Sequence, residues 1–180
     1  MRVITGKARG VSLKTPEGML TRPTADRVKE ALFSIIQFEL PGASVLDLFG
    51  GTGQLGIEAL SRGAASAVFV DSQEAACRLI RENLLRTKLT EQAKVIRLDY
   101  LEYLSRCREK FDIILLDPPY AEVYLENALK KITEIDILQS GGIIVAERPI
   151  EKDFSCIFDG FNRSKDYKYG KTLLTLFRKV

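Results

Sequence analysis

Val45-Leu46-Asp47-Leu48-Phe49-Gly50-Gly51-Thr52-Gly53-Gln54-Leu55-Gly56 is an apolar strand that runs straight into a glycine turn and then into a helix. Glycine lets a backbone turn tightly and leaves room for a second body against it, so the stretch predicts a strand-to-helix junction built for close approach. Gly51, Gly53 and Gly56 satisfy G-x-G-x-x-G, and Asp71 closes the next apolar run 18 residues after Gly53, about where an acid would bind ribose hydroxyls. A tight turn that merely packs helix on strand would show the same glycines. Strand before, helix after and Asp71 beyond favour a nucleotide.

Asp47 narrows the choice of nucleotide. It lies four residues before Gly51, at the carboxyl end of the strand. A dinucleotide sets its pyrophosphate against the helix N-terminus, and a carboxylate there meets repulsion of roughly 1 to 4 kcal/mol for a single charge pair at 4 Å. S-adenosylmethionine carries no phosphate, and its amino-acid end offers an ammonium to Asp47 or to its water shell. A turn-forming Asp47 is the plainer alternative. Asp99, in Arg97-Leu98-Asp99-Tyr100 after the third strand, falls at the same edge as Asp47 and Asp71. There it either accepts from an adenine amino group or caps a helix.

Outward from this junction, short apolar runs alternate with helical stretches. Val45–Phe49 leads to a helix from about Gly53 to Ser61, Ala67–Val70 to one from Gln73 to Leu89, and Val95–Leu98 to a short one through Leu104. Ile113–Leu116 then leads to a helix around Leu125 to Ile132, followed by Ile143–Ala146. The run Ile113-Ile114-Leu115-Leu116 is apolar on both faces, as a central parallel strand covered by helices requires. Phe161–Tyr169 and Thr172–Phe177, joined at Gly170, leave no room for a crossover helix and predict an antiparallel hairpin. Upstream, Val28, Leu32, Ile35, Ile36 and Leu40 recur at helical spacing between Thr24 and Pro41-Gly42. Residues 1–20, broken by Gly6, Gly10 and Pro16 to Gly18, read as a small basic hairpin. The expected fold is α/β and Rossmann-like: a mostly parallel seven-stranded sheet with an antiparallel C-terminal hairpin and helices on both faces. A hairpin extension over 1–20 precedes a single domain over 21–180.

The sharpest motif is Asp117-Pro118-Pro119-Tyr120, directly after the buried run Phe111–Leu116. Pro118 pushes Asp117 out of the α region and Pro119 does the same to Pro118, so the Asp117 carboxylate and the Pro118 carbonyl point in preset directions. Two aimed acceptors suit alkylation of an exocyclic amine on a planar base, whose nitrogen is a poor nucleophile because its lone pair is delocalised into the ring. Gripping the amine hydrogens favours pyramidal nitrogen and aims the lone pair, while Tyr120 stacks on the base. Methyl transfer from a sulfonium is already downhill, so placement is the main demand and supplies up to roughly 7 to 11 kcal/mol of the barrier. A rigid strand-to-loop corner is the alternative.

Composition removes whole classes of chemistry. With 180 residues, 46% hydrophobic and 28% charged, the chain suits one compact domain. It has no histidine, which excludes imidazole bases, His triads and His-ligated metals. Cys77, Cys107 and Cys156 are odd in number and widely spaced, which supports neither a disulfide framework nor a zinc ribbon, so no metal is expected and a reducing cytoplasm fits. No apolar run approaches the roughly 20 residues of a membrane span, and no apolar stretch follows Arg2, Lys7 and Arg9 as a secretion signal would require. Residues 1–39 hold 7 Lys/Arg against 4 Asp/Glu, residues 160–180 hold 6 against 1, and the middle holds 14 against 19. Two basic ends around an acidic centre suit either a polyanion-binding rim or a solvated face.

Together these residues resemble the class I S-adenosylmethionine-dependent methyltransferases, with Asp47 to Gly53 as first cofactor motif, Asp71 as ribose acid and Asp117 to Tyr120 as amino-methyltransferase motif. The upstream segment from Leu20 to Phe33, with Thr21-Arg22-Pro23-Thr24, and the closing Tyr169-Gly170-Lys171-Thr172 are similar to the bacterial 16S ribosomal RNA (guanine(966)-N(2))-methyltransferase family. The resemblance implies a cofactor-side role for Arg22, Pro23 and Thr24, and an assembled or partly assembled small ribosomal subunit as substrate. Phe49, Ser72 and Tyr100, beside the motif residues, complete the expected cofactor set. Tyr120 stands where relatives commonly carry Phe, and Tyr is equally at home in DNA adenine methyltransferases.

The resulting expectation is an RNA guanine N2-methyltransferase in which a flipped or single-stranded guanine sits between Asp117 and the cofactor. Arg2, Lys7, Arg9 and Lys14 at one end, and Lys165, Lys168 and Lys171 at the other, would hold phosphates. Self-association is not expected. A DNA adenine methyltransferase is the nearest rival, although no target-recognition domain is evident. A non-catalytic RNA-binding factor leaves Asp117 to Tyr120 unexplained, and a nicotinamide-dependent oxidoreductase conflicts with Asp47.

Overall fold

The computed structural model describes residues 1–16, 23–119, 122–151 and 160–179. Arg22, Tyr120 and Cys156 lie outside those residues, as do the side chains at 23–25 and 122. Among the described residues, seven strands form one sheet: β1 (Ser44–Asp47), β2 (Ser66–Asp71), β3 (Ala93–Arg97), β4 (Phe111–Leu116), β5 (Leu138–Pro149), β6 (Phe161–Tyr169) and β7 (Thr172–Lys179). Their order is β3-β2-β1-β4-β5-β7-β6, with β1 to β5 parallel and β7 antiparallel to both β5 and β6. The expected mostly parallel sheet with its antiparallel C-terminal hairpin is present.

Alternation along the central strands divides the core in two. Val45, Ile113, Leu115, Ile143 and Val145 face one side, under α1 (Pro23–Ile35), α2 (Gln54–Ser61) and α3 (Glu74–Thr87). Leu46, Ile114, Leu116, Ile144 and Ala146 face the other, under α4 (Tyr100–Arg106) and α5 (Glu122–Ile135). Helices on both faces are why β4 is apolar from Ile113 to Leu116, while Asp112 near its start accepts from Ser44 N at 2.8 Å.

Two boundaries differ from the sequence pattern. The apolar spacing runs on to Leu40, but α1 ends at Ile35; the chain then turns through the Glu39 N to Ile36 O bond and still delivers a buried Leu40 to the core. A buried residue at helical spacing need not be helical. Strand β5 begins at Leu138, five residues before the apolar run, because Gly141, at φ 74°, and a register shift between Phe111 and Ile113 allow Leu138 to pair with Phe111.

The N-terminal hairpin is seated on the first face. Val3 N donates to Val11 O at 3.0 Å and Gly10 N to Val3 O at 2.9 Å, while Val3, Ala8 and Leu13 bury in the core beneath α1 and α2. Its anchor is Glu58 on α2, whose buried carboxylate accepts from Ile4 N at 2.8 Å, Thr5 N at 3.0 Å and Arg62 Nε at 2.8 Å. Buried Lys29 lies 3.7 Å from that carboxylate and donates to Arg2 O at 2.6 Å. Gly6, at φ 89°, passes so close to α2 that a Cβ there would lie 1.8 Å from Ser61 O. Asn83 on α3 then ties Lys14 and Thr52 together, which fixes the hairpin beside the glycine turn.

Candidate active site at the carboxyl edge of the sheet

Strand β1 ends at Asp47 and the chain turns through Gly50 to Gly53, held by Gly50 N to Val70 O at 2.9 Å and Gly53 N to Gly50 O at 2.7 Å. Gly51 and Gly53 adopt φ of 54° and 79°, the left-handed region that favours glycine. Gly56 serves packing: a Cβ there would lie 2.3 Å from the Phe69 ring, so only glycine brings α2 down onto β2.

Asp47 is 1% exposed, and its Oδ2 accepts from Gly56 N at 3.0 Å in the first turn of α2. The carboxylate thus occupies the helix-terminal position that a pyrophosphate would need. Its Oδ1 is buried and has no partner among the described residues. Burial pushes the Asp47 carboxyl up to about 7; the charges of Asp117 and Asp71 add to the push, and the Gly56 bond opposes it. An unpaired buried oxygen costs roughly 1 to 3 kcal/mol, which a ligand ammonium would offset. The site therefore fits the amino-acid end of S-adenosylmethionine and disfavours a dinucleotide.

Asp71, at the end of β2, accepts from Gly51 N through Oδ2 and from Gln73 N through Oδ1, each at 2.9 Å. Each oxygen keeps a second lone pair for a ribose hydroxyl. Ser72 follows it, exposed. Asp99 caps α4, with Oδ1 accepting from Leu101 N at 2.9 Å and Glu102 N at 3.3 Å, so the capping alternative is realised; Oδ2 stays available to an adenine amine. Tyr100 is buried beside it. Its ring centroid lies 5.1 Å from that of Phe49 and 5.5 Å from that of Tyr124 on α5. Tyr124 is an aromatic that sequence reasoning missed. The available signal was its place one helical turn beyond Asp117-Pro118-Pro119-Tyr120.

Asp117 follows β4 directly, half-buried, and burial pushes its carboxyl up to about 6. Pro118 is half-buried and Pro119 exposed; Tyr120 is outside the described residues. A second missed residue is Glu147 on β5, half-buried, whose carboxyl is pushed up to about 8 by burial and then by the charge of Asp117. The structure thus brings Asp47, Asp71, Asp117 and Glu147 to one edge. Of the segment Arg22-Pro23-Thr24, it shows only that Pro23 and Thr24 open α1.

Among the basic residues, Arg2, Lys7 and Arg9 are exposed on the hairpin. The Lys14 ammonium lies 2.7 Å from Glu82, so it arrives already paired. Lys165 stands over the Tyr167 ring at 5.0 Å, and Lys168 and Lys171 are exposed on the β6–β7 hairpin, at the sheet edge opposite β3. Among the described residues, no group of three His, Cys, Asp or Glu side chains could hold a metal ion. No helix among them is long and apolar enough to cross a membrane.

A family described as "Conserved hypothetical protein 95" matches residues 1–178. The putative rRNA methyltransferase YlbH of Bacillus subtilis (strain 168) is 40% identical over 99% of this chain and 99% of its own length. Ribosomal RNA small subunit methyltransferase D of Escherichia coli (strain K12) is 28% identical over 99% of this chain and 90% of its own. A solved structure described as putative methyltransferase yhhF from Escherichia coli has a TM-score of 0.91 at 27% identity, covering 99% of this chain and 97% of that one.

Proposed function

This chain belongs to the Conserved hypothetical protein 95 family, and on that premise we propose that it methylates the exocyclic N2 amine of a guanine in 16S ribosomal RNA. It is an S-adenosylmethionine-dependent rRNA methyltransferase with a Rossmann-like class I fold. The observation that supports amine methylation at this edge is the buried Oδ1 of Asp47, without a partner among the described residues, in electrostatic reach of Asp117. One edge of the sheet then holds a cation-seeking oxygen for the cofactor and an aimed acceptor for the base.

Bound S-adenosylmethionine supplies a methyl group on a positively charged sulfur. Asp47 Oδ1 would accept from its ammonium, the Asp71 oxygens from its ribose hydroxyls, and Asp99 Oδ2 from its adenine amine. Phe49, Ser72 and Tyr100 belong to the same cofactor side, to which the family resemblance also assigns Arg22, Pro23 and Thr24. On the base side, the Asp117 carboxylate and the Pro118 carbonyl grip the two hydrogens of the guanine N2 amine, and Tyr120 stacks on the ring. As the nitrogen gains carbon it sheds one proton, and Asp117, with a carboxyl raised by burial, is placed to take it. No imidazole is needed.

The substrate in this reading is an assembled or partly assembled small ribosomal subunit in the cytoplasm. Arg2, Lys7 and Arg9 on the hairpin, and Lys165, Lys168 and Lys171 on the β6–β7 hairpin, lie against phosphates; Lys14 joins them on releasing Glu82. The protein acts as a monomer. The test is incubation with labelled S-adenosylmethionine and small subunits, naked RNA or DNA, followed by mass spectrometry of the nucleosides. N2-methylguanosine at one position of 16S RNA is expected. Label in N6-methyladenine, or none in any substrate, overturns the reading.

A further inference from the structure

Methyl transfer makes no use of Glu147, a half-buried carboxylate at the edge that holds Asp47 and Asp117. Glu147 sits on β5 between β4 and β7, held by the parallel pairs Leu115 with Val145 and Leu116 with Ala146 on one side and by its antiparallel pairing with Leu174 on the other. One step past Leu116 and Ala146, Asp117 and Glu147 come abreast on chains about 4.8 Å apart. Val145 faces the α1–α3 side and Ala146 the other, so alternation returns Glu147 to the α1–α3 side, as it does Asp47 two residues after Val45. Among the described residues, no hydrogen bond or ion pair reaches the Glu147 carboxylate, although neighbouring Arg148 is bonded to Thr175 and Asp166. A half-buried carboxylate without a protein partner lowers stability, so its place is explained by something it meets in the complex.

We propose that Glu147 determines the base specificity of this enzyme, by reading the N1 and C6 positions of the target purine while Asp117 and Pro118 hold its amine. This rests on the reading of the site as a guanine N2-methyltransferase. With the amine fixed at Asp117, the next atoms along the edge are N1–H and O6 in guanine, but a bare N1 and a C–H in adenine. An ionised Glu147 accepts from guanine N1–H and is repelled by the adenine N1 lone pair. A protonated Glu147 accepts from N1–H and donates to O6, two bonds, whereas adenine N1 offers it one. In either state guanine gains a hydrogen bond over adenine, so the selection does not depend on pH. A flipped base is commonly read along this edge, and a well-formed pair of contacts to it discriminates roughly 10- to 100-fold, or about 1.4 to 2.8 kcal/mol.

The test uses 2-aminopurine, which keeps the amine but presents the adenine-like bare N1 and C–H. Small subunits are reconstituted with guanine or 2-aminopurine at the methylated position, and kcat and KM are measured for wild type, E147Q and E147L. Wild type should favour guanine roughly 10- to 100-fold in kcat/KM. E147L should lose most of that ratio by losing guanine turnover, while its affinity for S-adenosylmethionine, read by calorimetry, stays within about twofold. E147Q offers one donor and one acceptor and should keep the ratio within a few fold. Because the carboxylate has no partner among the described residues, E147L should melt no lower than wild type. An unchanged guanine preference in E147L, or equal losses on both substrates with a lowered melting temperature, overturns the proposal. A wild type that methylates neither base fails the underlying reading instead, and the inference falls with it.

Discussion

At the residue scale the site is a set of carboxylates held in a poor environment for charge. Asp47 is the clearest, because burial favours its neutral form and its Oδ1 lacks a partner among the described residues. Asp47→Asn should therefore raise the stability of the ligand-free protein at pH 8, by about 1 to 3 kcal/mol in a urea titration, while weakening S-adenosylmethionine more than tenfold. A variant that binds the cofactor normally would remove Asp47 from the site. The cofactor's ammonium pairs with the ionised form, so affinity should rise with pH through about 7 and level off above it, read by calorimetry at constant ionic strength. Asp117→Ala should abolish methyl transfer and leave cofactor affinity within a few fold; retained turnover would deny Asp117 its grip on the amine. Asp47, Asp71 and Asp117 were legible in the sequence because each follows an apolar run at a strand's carboxyl end. Glu147 and Tyr124 were not. Their roles depend on which strand or helix lies alongside: Glu147 also follows an apolar run, but it sits inside β5, which continues to Pro149, and no turn marks it as an edge residue.

Elements explain how the hairpin comes to stand beside the glycine turn. Glu58 does this by accepting from Ile4 N, Thr5 N and Arg62 while facing Lys29. Glu58→Ala would leave two amides without their acceptor and the buried Lys29 ammonium without the carboxylate 3.7 Å away, so it should cost roughly 3 to 5 kcal/mol in equilibrium unfolding. Amide exchange at Ile4 and Thr5 should quicken together; a loss under about 1 kcal/mol would show the anchor lies elsewhere. Replacing Arg2, Lys7 and Arg9 together should flatten the salt dependence of substrate binding by roughly 2 to 3 in logarithmic slope and leave cofactor binding alone. An unchanged slope makes the hairpin a solvated face. The basic character of this hairpin is visible in residues 1–14, but its seat is not, since Glu58 on α2 looks from sequence like an ordinary helix-surface acid. The early start of β5 was hidden for a related reason: Gly141-Gly142 interrupts the apolar pattern that a strand is read from.

For the whole molecule, one edge of the sheet combines ligand chemistry with electrostatic strain. Asp47, Asp117 and Glu147 have carboxyls raised in the folded state to about 7, 6 and 8. Such groups favour folding while neutral, so their contribution is complete below the unfolded values near 4 and is lost as pH rises through 6 to 8. The ligand-free protein should consequently melt higher at pH 6 than at pH 8, and saturating cofactor should narrow the gap by supplying a cation to Asp47. A melting temperature that climbs steadily from pH 6 to 8 would contradict this. The alternation of strand and helix and the two-faced apolar β4 made the sheet readable from the chain alone, because a doubly wound sheet leaves its covered strands no polar face. The central claim is that Asp117 and the cofactor share one cleft, and a crystal structure of the protein with S-adenosylhomocysteine tests it most directly. The account predicts the ligand's ammonium on Asp47 Oδ1, its ribose on Asp71 and its sulfur facing Asp117 across a gap wide enough for a purine amine. A ligand seated elsewhere, or a sulfur screened from Asp117 by protein, would contradict it.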